Sequence, residues 1–333
     1  MPGAEDAARR GRPVVHVNDI ARVGPTLVDA AVRRGLDWRF HPLPDSREVT
    51  GATLARARLA DLVRTRARLP RDAVLHVHYG AYGYYGVHRR APVVLHFHGS
   101  DLRVDLRSRL AGPVVRAASH SADALLASTP DLVPEIEAEL GRRPLWLPAP
   151  VAADLLDGEP PGPPQGGHPR VLFLVRWDPV KGAGLLAEAA QQLIATTDAD
   201  VVGIGWGRQV GLAHGAGVRL LPLQPPAALR ELVSSSAVVV GQQLAGALGV
   251  SELEALALCR PLVTHFTQEE AYGSAPPLWE GGRSAEGVAE AVRSLLADPA
   301  AAEVRAARGR AWVARHHHPD VLVDRLLDLY STL

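Results

Sequence analysis

Strand–helix alternation that runs through twice predicts an α/β protein made of two doubly wound parallel-sheet domains. Three observations carry this reading. Short apolar runs rich in β-branched residues recur between helical segments, as expected of strands covered on both faces. Residues 157–169, DGEPPGPPQGGHP, hold five prolines and four glycines in thirteen residues, a composition that neither a helix nor a central strand tolerates. After that stretch the alternation restarts. A length of 333 residues suits two domains of about 150 residues each.

The elements follow in order. VVHV (14–17) is a short apolar strand; a loop with Gly24-Pro25 leads into a helix over 26–34 that ends at Gly35. Residues 37–43 form a second strand, and VLHVH (74–78) and VVLHFH (93–98) are apolar runs bounded by turn signals. ADALLAS (122–128) and PLWLP (144–148) add further short strands. Beyond the linker come VLFLV (171–175), a helix over 182–195, VVGIG (201–205), VRLLPL (218–223) and a helix near 227–233. AVVVG (237–241), a helix over 251–258 and PLVTH (261–265) follow, then helices near 285–297, 300–315 and 319–331. The domains expected are therefore 1–156 and 170–333, joined by 157–169, with the last helix a candidate to pack back on the first domain. Two doubly wound domains on one linker place a ligand cleft between them, at the carboxyl ends of the strands.

Composition narrows the class. Apolar residues make up 47% and charged residues 22% of the chain, as in a soluble globular protein. Lys+Arg and Asp+Glu balance at 36 each, so net charge offers no argument for nucleic acid. Cys259 is the only cysteine; no intrachain disulfide can form, which suits a reducing compartment. MPGAEDAARRGRP (1–13) lacks the apolar core of a signal peptide, and no apolar run reaches the roughly 20 residues of a membrane span. The expected location is cytoplasmic.

Two motifs bear chemistry. VLFLVRWDPVKG (171–182) runs from a buried strand into Arg176, a tight loop and Lys181-Gly182. A cation pair at a strand end suits a bound diphosphate. GALGVSELEALALCRPLV (246–263) is a glycine turn, a helix with two glutamates and a strand. A glutamate on such a helix suits a ribose, and Gly249, Val250 and Ser251 offer backbone N–H groups and a helix N-terminus to phosphates. Together they read as a site for a nucleotide carrying a sugar.

With these residues in view, the whole chain resembles the GT-B glycosyltransferases and, within them, the retaining family 4 (GT4). PVVHVNDIARVGPTLVDAAVRRG (13–35) looks like that family's first strand, glycine-bearing loop and helix; VVLHFHGSD (93–101) looks like its histidine-bearing strand end. ADALLASTPDL (122–132) with LPAPV (147–151) resembles the end of its N-terminal domain. LVRWDPVKG (174–182) matches the Arg-x4-Lys-Gly signature and LEALALCRPLV (253–263) the Leu-Glu-Ala-Met-Ala-x-Gly-x-Pro-Val-Val signature. The resemblance implies two Rossmann-like domains, a nucleotide-sugar donor, retention of anomeric configuration, and no cofactor or essential metal. It implies diphosphate contacts from Arg176 and Lys181, a ribose contact from Glu254, a loop around Gly24 that approaches the diphosphate, and His98 beside donor sugar and acceptor. One departure stands out. The family's first glutamate, eight positions before Glu254, falls on Gly246, so Gln242, Gln243 and Glu252 become candidate substitutes for its sugar contact. Ala149 and Cys259 stand where Asn and Gly are common.

Several positions keep two readings. Ser251-Glu252-Leu253-Glu254 has the spacing of a capping box, in which Glu254 satisfies a backbone N–H instead of a ribose. His98 is either a structural strand-end histidine or a polar contact that orients donor and acceptor. Asp101 either orients His98 or caps the helix after it. Gly24 is a turn glycine or a diphosphate-loop glycine; Asn18 and Asp19 share its loop. Tyr79, Tyr82 and the glycines of YGAYGYYG (79–86) line an acceptor pocket or form an unliganded loop tip. Residues 52–71 carry Arg56, Arg58, Arg64, Arg66, Arg68 and Arg71 against Asp61, with Leu59, Leu62, Val63 and Leu69 as a stripe. Such a helix either meets an anionic inner membrane face or is solvated. GIGWG (203–207) lacks dinucleotide spacing, Asp198-Ala199-Asp200 precedes a strand and reads as a surface turn, and His316-His317-His318 lacks ligand spacing.

The function expected is metal-independent retaining transfer of a sugar from a nucleoside diphosphate to an acceptor hydroxyl on a small molecule, glycan or lipid carrier, with no nucleic-acid partner. Two other classes compete: a GT-B protein that binds a nucleotide or partner without turnover, kept open by Gly246, and a nicotinamide-dependent oxidoreductase, opposed by the missing glycine fingerprint.

Overall fold

The computed structural model describes residues 12–44, 50–70, 72–87, 91–162, 164 and 166–333. Residues 1–11, Arg71, Pro163 and Gln165 lie outside these, and with them the polar N-terminal stretch, one arginine of 52–71 and two linker positions. The chain forms two compact units, 1–150 with 319–333, and 151–318. The division falls at 150/151, six residues before the start expected for the linker, and Pro319–Leu333 belongs to the first unit.

The first unit holds β1 (Val14–Val17), α1 (Val23–Arg33), β2 (Trp38–His41), α2 (Gly51–Arg68), β3 (Val74–His78), a 3-10 segment Gly80–Tyr85, β4 (Val93–Phe97), α3 (Ser100–Arg103), α4 (Ala111–Ser121), β5 (Ala124–Ala127), α5 (Leu132–Leu140) and β6 (Leu145–Trp146). The helix Pro319–Ser331 completes it. Its sheet runs β2-β1-β3-β4-β5-β6, every pair parallel. Register sorts the side chains. His16 pairs with His76 and His78 with His96, and side chains repeat every second residue. One face therefore carries Val14, His16, Val74, His76, His78, Val94 and His96. Helix α1 and the C-terminal helix cover it through Leu27, Ala30, Leu322, Leu326 and Tyr330. The other face carries Val17, Leu75, Val77, Leu95 and Phe97 under α4 and α5. The near-continuous apolar strands expected here are thus apolar on one face only. The second face interleaves buried imidazoles with valines.

The second unit holds α6 (Asp154–Asp157), β7 (Arg170–Phe173), a 3-10 turn Pro179–Lys181, α7 (Ala183–Thr196), β8 (Asp200–Ile204), α8 (Val210–Gly215), β9 (Arg219–Leu221), α9 (Pro226–Ser234), β10 (Val238–Val240), α10 (Val250–Ala257), β11 (Leu262–Val263), α11 (Glu269–Tyr272), α12 (Ala285–Ala297) and α13 (Pro299–His317). Its parallel sheet runs β11-β10-β7-β8-β9, with the first strand central, as in doubly wound folds. Val171, Phe173, Val201, Val238, Val240 and Val263 pack under α7 and α12. On the other side α13 lies close on α10, where a Cβ on Gly309 would sit 2.9 Å from Leu256 Cδ2.

Candidate functional site

In the second unit, β7 and β10 are neighbours and their carboxyl ends bring the two motifs together. After β7 the chain turns at Trp177, which is fully buried and donates Nε1–H to Ile204 O at 3.0 Å. Gly207 N-terminal to α8 packs on it: a Cβ there would stand 2.6 Å from the Trp177 backbone. Gly203 and Gly207 pack against that tryptophan and Gly205 against Leu221 O, so the glycines of GIGWG have a packing role. Arg176 is 42% exposed, and its Nε lies 2.5 Å from Asp178 Oδ2. Its guanidinium stands 5.7 Å from the Trp206 ring. Asp178 is buried and also accepts from the Arg208 N–H at 2.8 Å. That N–H, with the Arg176 and Arg208 charges, holds its carboxyl below the usual range. Asp178 escaped the sequence reading, although it lies inside the Arg-x4-Lys motif: nothing in the spacing tells a loop aspartate from the anchor that aims the arginine.

Lys181, half-buried, ends the Pro179–Lys181 turn ahead of α7. Its carbonyl accepts from Gln243 N at 3.2 Å, which ties this turn to the loop after β10. That loop leads to α10, with Gly249 as N-cap and Val250 and Ser251 as its first residues. The carboxylate that closes the helix start is Glu252, not Glu254: buried Glu252 accepts from Gly249 N at 3.1 Å and Gln242 N at 3.2 Å. The cap sits two residues earlier than the Ser251-to-Glu254 spacing suggested. Glu254 is left on the half-buried face of α10, 4.0 Å from Arg230 Nη2.

Gly246 departs from the resemblance for a structural reason. Its φ is +67°, and a Cβ there would lie 2.4 Å from Thr267 Oγ1. A side chain at this position needs both a strained backbone and a displaced threonine. Among the candidate substitutes, Glu252 is spent on the loop backbone. Gln242 is fully buried, donating to Ala247 O (2.9 Å) and His265 O (3.1 Å) and accepting from Ala245 N (2.6 Å). Gln243 donates to Gly241 O and Val263 O, both at 3.3 Å, while its Oε1 is buried without a partner.

In the first unit, Asn18 adopts φ +73° and donates to His78 O at 3.0 Å; Asp19 beside it is exposed. Gly24 lies in the first turn of α1, not in the loop before it. A Cβ there would come within 3.3 Å of the His78 ring, so the glycine lets α1 approach that imidazole. Asp101 neither touches the His98 ring nor acts as a simple helix cap. Fully buried, its carboxylate accepts from the N–H groups of Gly80 (2.9 Å), His98 (3.1 Å), Gly99 (2.8 Å) and Leu102 (3.1 Å). Burial pushes its pKa up to about 6 against the pull of those four donors. It staples the end of β4 to the Gly80 loop. His98, half-buried, is 3.2 Å from His78 through its Nε2.

Tyr79 has φ +85°, and its hydroxyl donates to Ser100 Oγ at 3.4 Å. Tyr82 lies 5.7 Å from it, ring to ring, and takes Arg58 both over its ring (4.9 Å) and at its hydroxyl (3.3 Å). Helix α2 is thus docked onto the tyrosine loop. Asp61, buried, sits between His41 (2.8 Å) and the Tyr85 hydroxyl (2.6 Å). The expected apolar stripe splits: Leu62 and Leu69 pack on the core, while Leu59 and Val63 are 62% and 60% exposed. Among the described residues no helix is long and apolar enough to cross a membrane.

The remaining motifs are structural. Asp200 opens β8, where Arg219 Nε lies 3.1 Å and Arg170 Nε 3.5 Å from its carboxylate. His318 lies 3.2 Å from Asp157, and buried His317 passes its carbonyl to Val151 N at 2.9 Å.

Comparison with known proteins places this geometry. Residues 168–298 match the family described as glycosyl transferases group 1, so the second unit carries a group 1 glycosyltransferase domain, that of a transferase enzyme. No curated protein matches the chain by sequence. Among solved structures, sucrose-phosphate synthase from Thermosynechococcus elongatus is similar at 15% identity and TM-score 0.71, covering 96% of this chain and 99% of its own. HepE from Anabaena, in complex with UDP-glucose, is similar at 12% identity and TM-score 0.72 over 97% and 100%. A UDP-forming α,α-trehalose-phosphate synthase from Burkholderia xenovorans is similar at 14% identity and TM-score 0.67 over 96% and 98%. The fold is GT-B.

Proposed function

We propose, from a group 1 glycosyltransferase domain in a chain of GT-B fold, that this protein moves a sugar from a uridine diphosphate sugar to an acceptor hydroxyl, with retention at the anomeric carbon and without a metal in the reaction. It is read as a GT4-type enzyme. The observation that carries this is Arg176, aimed by buried Asp178 at the end of β7, beside Lys181 and the amino end of α10. The choice of uridine rests on the UDP-glucose held by HepE and on the UDP-forming trehalose-phosphate synthase.

When the C1–O bond to the diphosphate breaks, negative charge grows on the leaving phosphate. Fixed cations there stabilise the transition state more than the ground state. Arg176 is fixed because Asp178 holds its Nε and leaves the guanidinium terminus to reach a ligand. Lys181 is presented by a turn whose carbonyl is pinned to the next loop. The acceptor oxygen attacks on the face that the diphosphate leaves, and its proton passes to a leaving phosphate oxygen, so no separate base is required. Glu254 accepts from the ribose hydroxyls, since Glu252 has taken over the capping role. Val250 and Ser251 present their N–H groups to phosphate, while the Gly249 N–H is held by Glu252. His98 makes a polar contact to the reacting sugar through Nδ1, since its Nε2 faces His78. Gln243 is the candidate to make the sugar contact that Gly246, with no side chain, does not make, because its Oε1 alone among the three substitutes lacks a partner. The acceptor is a hydroxyl of a small molecule, a glycan or a lipid carrier, with Tyr79 and Tyr82 on its side. The exposed Leu59 and Val63 of arginine-rich α2 are the surface for a peripheral membrane contact.

A second reading is favoured by Gly246 alone: nucleotide binding without turnover. A thermal-shift screen against UDP-, GDP-, ADP- and dTDP-sugars, followed by assay of nucleoside diphosphate release, separates the two. Stabilisation by a UDP-sugar with slow UDP release supports the transferase. Stabilisation with no release leaves the binding protein, and no stabilisation by any of the four ends both.

A further inference from the structure

We propose that His78, His96 and His98 form a binding site for a single divalent transition-metal ion of the zinc class, with His16 and His76 holding two of the ligands in place. The five imidazoles share one face of the first sheet, four of them fully buried. Two trios bring one nitrogen from each ring within 4.8 Å of the others: His16/His76/His78 and His78/His96/His98. Lone pairs lie in the ring plane, so stacked rings cannot converge on one ion. The first trio is stacked, with interplanar angles of 28°, 12° and 25°. In the second the rings are tilted more steeply, by 38°, 39° and 32°.

Distance agrees. Imidazoles on tetrahedral zinc bind at 2.0–2.1 Å, which sets ligand nitrogens about 3.4 Å apart. His78 Nδ1 and His98 Nε2 are 3.2 Å apart. His96 supplies the third nitrogen, within 4.8 Å of the other two, and its Nε2 is buried with no partner. Protons can be distributed so that all three lone pairs are free. His78 then carries its proton on Nε2 and donates to His16 Nδ1, 3.0 Å away. His96 carries its proton on Nδ1 and donates to His76 Nε2, 3.2 Å away. His76 in turn donates Nδ1–H to the Tyr330 oxygen at 2.6 Å. A ligating histidine whose other nitrogen donates to a fixed acceptor is the usual outer-shell arrangement. It accounts for His76, His78 and His96 beyond mere packing and leaves His16 Nε2 buried without a partner, with His98 the ligand at the open end.

An all-imidazole set suits zinc, nickel, cobalt or copper and offers nothing to calcium or magnesium. His98 is half-buried, so a water can complete the coordination. The buried Asp101 carboxylate, bonded to the His98 N–H, puts negative charge at the same strand end.

The test uses the untagged full chain, stripped with EDTA, and Co2+ as probe. One equivalent should give the intense visible bands of a four-coordinate centre, displaced by one equivalent of Zn2+. X-ray absorption at the zinc edge should count three imidazoles. His96→Gln should abolish the bands, and a His316→Ala/His318→Ala double variant should keep them. Absence of the bands, a shell of fewer than three imidazoles, or bands that vanish only with the His316/His318 variant overturns the proposal. Should His96→Gln fail to fold, wild-type stoichiometry and imidazole count still decide. None of these readouts depends on sugar transfer.

Discussion

In the first unit the polar groups of the sheet are uncharged and lie inside it; in the second they are charged and stand at the strand ends. His16, His76, His78 and His96 are fully buried, and each has a nitrogen within 3.2 Å of another histidine. Arg176 and Lys181 keep contact with solvent, and the buried group beside them, Asp178, is an anion that aims a cation. Burial of a charge is expensive unless it is paired. The first sheet meets that constraint by neutrality and the second by pairing at its edge. The first solution makes the fold sensitive to protons. The second leaves cations available to a ligand.

The largest effect expected from this contrast is acid lability confined to the first unit. His16 is lowered to about 3 from a free value of 6.5 by burial, and His76, His78 and His96 lie well below it. Between those pH values the unfolded chain binds protons that the folded unit does not. Stability therefore falls with pH below 6.5, by about 1.4 kcal/mol per pH unit for each fully titrating buried imidazole. Asp101, raised to about 6, has the opposite sign but is one group against four; Tyr330 stays protonated throughout. In the second unit Asp178 and Asp200 are lowered. Their contribution is present above 3.8 and fades only as pH falls through their lower folded values. Hydrogen exchange on EDTA-stripped protein should show β1, β3 and β4 losing protection near pH 5 while β7, β8 and β10 keep theirs. Simultaneous loss in both units would refute this contrast.

Next in size is the loss of transfer at the edge of the second sheet. Arg176→Ala and Lys181→Ala should each lower kcat/KM by about 10²–10³-fold, about 3–4 kcal/mol, as for removal of an oxyanion donor. Lys181→Ala should hardly move the melting temperature, whereas Arg176→Ala leaves buried Asp178 with only Arg208 and should lower it. Near-normal turnover in both variants removes the proposed mechanism. Asp178→Asn sharpens the point: it keeps the acceptor for the Arg208 N–H but weakens the hold on Arg176, so it should lower kcat more than KM.

How much of this was legible follows from which interactions are local. The strands and the order β7, 3-10 turn, α7 could be read because apolar runs and an Arg-x4-Lys-Gly spacing are written along the chain. The pairing of His16 with His76 and of His78 with His96 could not, since strand order and register arise only when the sheet assembles. VLHVH and VVLHFH consequently passed for plain apolar runs. Asp178 and Glu252 were hidden differently: each sits inside a motif, but its partners, the Arg208 and Gln242 N–H groups, lie far along the chain or across a loop. Asp101 had its nearby partners in plain view at 98, 99 and 102, yet a fourth donor, Gly80, is what makes it a staple between strand ends.

A smaller effect tests why Gly246 departs from the family resemblance. If the missing glutamate were a simple loss, Gly246→Glu would restore a contact. The backbone at φ +67° and Thr267 Oγ1 at 2.4 Å from the new Cβ predict instead a destabilisation of about 1–3 kcal/mol and no gain in rate. Thr267→Gly added to it should recover part of the stability, because the clash goes while the backbone strain stays. A faster single variant with an unchanged melting temperature contradicts this account. Gln243→Ala, by the same logic, should raise the donor KM if its unpartnered Oε1 serves the sugar.

The smallest and most discriminating effect separates two glutamates on one helix. If its carboxylate serves the ribose as proposed, Glu254→Ala should raise the donor KM by more than tenfold, at least about 1.4 kcal/mol. It should cost less stability than loss of Glu252, since α10 does not need it to start and its Arg230 ion pair is long, at 4.0 Å. Glu252→Ala strands the buried Gln242 N–H and the half-buried Gly249 N–H, and a buried orphaned donor costs about 1–3 kcal/mol. Its melting temperature should fall sharply, and any rise in KM should disappear on cooling to where the variant is fully folded. Glu254→Gln isolates charge from shape: a neutral amide still accepts from one hydroxyl, so KM should rise less than for alanine. If Glu254→Ala instead lowers the melting temperature as Glu252→Ala does and leaves KM alone, then Glu254 is the structural carboxylate after all and the ribose is held elsewhere.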